Sequence, residues 1–66
     1  MHVVKPMDDI KADLVMDINE GRDQQGIANA LLALRASYGL SQLECMLTVH
    51  VWIMAAAEQG ALTYAS

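Results

Sequence analysis

Sixty-six residues with a formal charge of −4, a pI near 4.7 and 55% hydrophobic content make a small, acidic and strongly apolar chain. Its four cations (Lys5, Lys11, Arg22 and Arg35) are scattered, which argues against direct nucleic-acid binding, because phosphate recognition needs clustered Lys and Arg. The apolar content excludes a disordered chain, and the single Cys45 excludes an intrachain disulfide framework and fits a reducing, cytoplasmic setting.

A chain of this length is expected to form one domain, residues 1–66, near the lower size limit for a self-sufficient core. The opening residues lack the apolar core of a signal peptide. No charged side chain falls between Cys45 and Ala57, but a helix over that run would span only about 20 Å, short of the roughly 30 Å bilayer core. No membrane span is therefore expected. Pairing between copies is the simplest way to cover so much apolar surface.

The first predicted helix covers about residues 6–19. Pro6 suits the first helical position, Asp8 and Asp9 complement the dipole in the first turn, and Met7, Ile10, Leu14 and Ile18 form an apolar stripe. Gly21 supplies a stop. The second helix is expected over about 24–37, capped by Asp23, with Ile27, Leu31, Leu34 and Tyr38 inward and Gly39 as its left-handed end. Gly26 weakens its first turn.

The third helix, about 42–59, has the clearest start. Ser41-Gln42-Leu43-Glu44 has the pattern of a capping box, with Leu40 placed to staple onto Cys45. Apolar residues surround its axis, which implies burial on most sides. A strand reading competes, since Leu47, Val49, Val51 and Ile53 alternate with Thr48, His50 and Trp52. The capping box and Ala55-Ala56-Ala57 favour helix. The expected fold is all-α: an antiparallel hairpin of the second and third helices pairs as a homodimeric bundle, with the first helices across the outside. Leu43, Met46, Leu47, His50, Trp52 and Ile53 are the expected dimer core.

Six of the eight acidic residues (Asp8, Asp9, Asp13, Asp17, Glu20 and Asp23) lie within a sixteen-residue stretch. Asp9, Asp13, Asp17 and Glu20 share one helical face, within an arc of about 80°. Lys11 lies off this stripe and Arg22 at its end, so the stripe reads as poorly neutralised. It is suited to a protein partner with a basic surface, or serves as the solvated face that keeps an apolar dimer soluble. Arg35 and Tyr38, three apart near the second turn, form a second candidate contact region, because both types are enriched at binding hot spots.

No catalytic, cofactor or metal constellation emerges. Cys45 and His50 are five apart and point about 140° away from each other on a helix. Met46 and His50 share a face but offer a poor ligand pair, and His2 has no paired ligand. No phosphate-binding glycine loop is present. Enzymatic activity is therefore not expected.

Leu31, Leu34, Arg35, Gly39, Leu40, Ser41, Gln42 and Glu44 together resemble the opening of a Cro/C1-type helix-turn-helix domain. The likeness implies one helix, a turn and the cap of the next helix over residues 31–44. The segment where a recognition helix would follow reads Val51-Trp52-Ile53-Met54-Ala55-Ala56 and holds no base-reading side chain. DNA binding is therefore not carried over. The reading that follows is a small acidic protein–protein interaction module, an inhibitor or modulator of phage or mobile-element type that occludes a host regulator or enzyme. A degenerate helix-turn-helix regulator and a purely structural oligomerisation module are the alternatives.

Overall fold

The computed structural model describes residues 4–63, which form three α-helices and no strand: α1 (Met7–Asn19), α2 (Asp23–Tyr38) and α3 (Gln42–Glu58). His2 and the last three residues of the chain lie outside the described part.

Local chemistry accounts for the ends. Pro6 stands just before α1 rather than inside it, with extended ψ of 143°, and its carbonyl accepts the Asp9 and Ile10 N–H groups, both at 3.1 Å. Asp23 is the first residue of α2 rather than its cap. Arg22 occupies the cap position, and no side chain bonds there. The carboxylate of Asp23 still favours the positive end of the dipole. Gly39 ends α2 at φ 65°, a conformation open to glycine without a Cβ penalty, and donates its N–H to the Arg35 carbonyl at 3.0 Å. At α3 the capping box is complete: Glu44 N–H donates to Ser41 Oγ at 3.2 Å, and Ser41 N–H donates to Glu44 Oε1 at 2.9 Å. Residues 47–53 are helical throughout, so the strand reading does not hold.

Each helix buries three residues, largely in rows four apart: Ile10, Leu14 and Ile18; Gly26, Ala30 and Leu34; Cys45, Val49 and Ala56. Spacing of four keeps the buried atoms on one ridge, the geometry by which helices interdigitate. Ile10, Leu14, Leu34 and Cys45 are the largest side chains with essentially no exposure. Ile27, Leu31, Leu40, Trp52, Ile53 and Leu62 close the margins of this core.

The bundle runs up, down and up. Beside the end of α2, Lys5 N–H donates to Ser37 Oγ (3.0 Å) and Tyr38 OH donates to the Lys5 carbonyl (2.8 Å). At the opposite end, Asn19 Nδ2 donates to the Ala61 carbonyl (2.9 Å) and receives the Thr63 N–H on Oδ1 (2.7 Å). The end of α3 thus returns to the end of α1. α1 turns its Ile10-Leu14-Ile18 row inward onto the rest of the chain. Its contact with α2 is the most extensive in the molecule, and α1 supplies three of the most buried side chains. The cause is the small-residue face of α2. A Cβ at Gly26 would stand 2.6 Å from the Asp17 Cβ, so only glycine lets the backbones come this close.

Candidate interaction surfaces

The acidic stripe is oriented by the row it adjoins. Asp17 lies about 60° around α1 from Leu14, so once that apolar row packs on α2, Asp13 and Asp17 flank the seam. They share a groove of about 370 Å³ with Lys5, Asn29, Ala30 and Ala33. Three of the four stripe residues are engaged. Lys5 reaches back to pair with Asp13, while Arg22 pairs with Glu20 and, at 3.0 Å, with Asp17. Hydrogen bonding to Asp17, and next to Glu20, holds the Arg22 guanidinium above its ordinary range. The expectation of a poorly neutralised stripe is thus corrected, because Lys5 folds back from the segment before α1 and the turn brings Arg22 back onto the helix it follows. Asp9 is exposed, and Asp17 is only 18% exposed.

Arg35 and Tyr38 both stand exposed near the end of α2. Arg35 Nη1 donates to Gln42 Oε1 at 3.3 Å, tying α2 to the start of α3. Tyr38 holds the N-terminal segment by donating its hydroxyl to the Lys5 carbonyl. Each is exposed, but each carries a structural bond.

α3 divides into two faces. Its inward face presents Cys45, Val49 and Ala56, with Trp52 and Ile53 half-buried against the chain's own core. Trp52 and Ile53, expected at a dimer core, pack in part against the core of the single chain. The opposite face is open. Leu43 is 65% exposed, Met46 51%, Leu47 55%, Val51 59% and Met54 53%, and His50 stands exposed among them. Measured around the helix from Leu43, these residues fall within an arc of about 140°. Four of them, Leu43, Met46, Leu47 and His50, are among the residues expected at a dimer core, whereas Val51 and Met54 are not. The available signal was the 4-3-4 spacing of Leu43, Leu47, His50 and Met54, a coiled-coil-like period.

Cys45 is buried while His50 is exposed, so the helix separates them as its geometry requires. Among the described residues no three His, Cys, Asp or Glu side chains converge into a metal-binding group, and no helix is long and apolar enough to cross a membrane. Comparison with protein-family models, curated proteins and solved structures finds no match for the chain.

Proposed function

We propose that this chain is a protein–protein interaction module that self-pairs and modulates a target by covering part of its surface, with the open face of α3 as its working surface. One observation carries the reading: five large apolar side chains, each more than half exposed, lie together on a helix face that has no charge between Cys45 and Ala57. A patch of this kind is rare on a protein that acts alone and marks an association site. Aliphatic and Met-rich helix faces suit grooves and amphipathic helices, and methionine adapts to varied shapes.

Charge supplies the second element. A net −4 on so small a body favours encounter with a basic target and disfavours nucleic acid. This is a property of the whole surface rather than of a free Asp9-Asp13-Asp17-Glu20 stripe, since Asp13, Asp17 and Glu20 are ion-paired. Occlusion needs no catalytic group, and inhibition is then a matter of which surface the module covers.

The test is capture of a target from host lysate by the wild type, by Leu47→Glu/Met54→Glu and by Asp13→Lys/Asp17→Lys. Loss with the α3 pair and retention with the α1 pair is the expected result. The reverse pattern would move the working surface to α1.

A further inference from the structure

We infer that the α3 face is made for α3 of a second copy, packed antiparallel, so that Leu43 meets the partner's Met54 and Leu47 meets the partner's His50. The inference rests on the reading of this face as an interface and names its first occupant.

The spacing of the seam carries the argument. Leu43, Leu47, His50 and Met54 follow at intervals of 4, 3 and 4, the alternation that keeps a seam facing another helix. The run 4-3-4 also reads the same in both directions. A second α3 turned end for end therefore meets it layer by layer with no change of register, as a twofold axis requires. The inward row, Cys45, Val49 and Ala56, lies on the other side of the helix, so pairing need not disturb the monomer core.

Charge and area agree with this occupant. Two copies of net charge −4 repel wherever carboxylates meet, and the charge-free run from Cys45 to Ala57 lets the middle of α3 approach a second copy without that opposition. Glu44 and Glu58 lie near the two ends of α3. Neither belongs to the seam of Leu43, Leu47, His50 and Met54, which carries no carboxylate. Antiparallel helix dipoles are favourable as well. The open side chains expose on the order of 500 Å² per copy, so a pair covers about 1,000 Å², the lower bound for a specific interface.

Sedimentation equilibrium of the full chain, joined to cysteine crosslinking, tests the inference. The wild type should be a dimer. Leu47→Glu should weaken it by about 100-fold or more, because the pair would bury unpaired carboxylates, with helical circular dichroism retained because Leu47 is exposed in the single chain. Leu32→Glu, on α2 and 67% exposed, should leave the dimer intact. Under mild oxidation a mixture of Leu43→Cys and Met54→Cys chains should crosslink to each other. Neither should crosslink to itself, since like positions lie about 16 Å apart along the axis. A monomeric wild type overturns the inference, as does self-crosslinking of Leu43→Cys, which requires parallel helices. A monomer whose target capture still depends on Leu47 and Met54 would sink self-pairing alone. A dimer broken by Leu47→Glu, with target capture by the Leu47→Glu/Met54→Glu chain unchanged, would sink the target-binding role of this face and leave self-pairing standing.

Discussion

The α1–α2 pair and α3 use similar building material in opposite ways. In the pair, small residues on α2 admit the Ile10-Leu14-Ile18 row closely, and ion pairs from Lys5 and Arg22 line the margin of the seam. α3 is the most apolar of the helices, yet it buries only three residues, as each of the others does, half-buries Trp52 and Ile53, and leaves five large apolar side chains open. Apolar content alone therefore does not measure burial. A third helix resting on a two-helix seam has one face to bury, whatever its composition, and further apolar residues are left for another chain.

That contrast can be broken most severely at its centre. Leu34→Ala should cost about 2–5 kcal/mol, and because a core this small has little in reserve, thermal denaturation should show a largely unfolded chain. Leu47→Glu, of the same residue type on the open face, should change the stability of the isolated chain by no more than about 0.5 kcal/mol. At a concentration where the chain is monomeric, equal losses at the two positions would show that α3's outer face is covered within a single chain.

Gly26→Ala probes the close approach. Helix propensity favours alanine by about 1 kcal/mol, but the new Cβ meets the Asp17 Cβ at 2.6 Å, where the backbones must separate. Overpacking of this kind costs about 1–3 kcal/mol, so the net effect should be a lower melting temperature. A rise would mean that α1 and α2 are less tightly apposed than the Asp17 contact implies.

Ser41→Ala should cost about 1 kcal/mol by orphaning the Glu44 N–H at the start of α3. Hydrogen–deuterium exchange should report the loss at α3's first turn before the α1–α2 seam is affected.

The smallest effect concerns pH. The Ser41 N–H, followed by the Ser41 hydroxyl, holds the Glu44 carboxyl below its ordinary value near 4.5. A carboxyl lowered in the folded state adds stability above its unfolded value, and that stability is lost as pH falls through the folded value. Amide protection at Ser41 and Glu44, measured against the intrinsic exchange rate at each pH, should therefore fall in that acid window. Glu44→Gln keeps a capping side chain without the titration, so it should remove the pH step. An unchanged step in that variant would assign it to another group.

Much of the fold was legible because helix ends are local. The Ser41–Glu44 box, Asp8 and Asp9 in a first turn, and glycines after the last periodic residues act within a few residues of chain. Even here the neighbours decided details, since Pro6 stands outside α1 and Asp23 does not cap α2. The candidate surfaces were less legible. The 4-3-4 run on α3 was present in the residues, but it gains meaning only once Cys45, Val49 and Ala56 are known to point the other way.

By itself, then, the sequence determined the all-α class, the approximate bounds of the helices and the acidic balance, since capping, periodicity and charge act over one or two turns. Only the tertiary structure decided that α1 packs chiefly on α2, that Gly26 lies at a close approach to Asp17, that Lys5 and Arg22 pair with three of the stripe's carboxylates, and which side of α3 stays open. Those depend on which residues distant along the chain meet, and packing alone settles that.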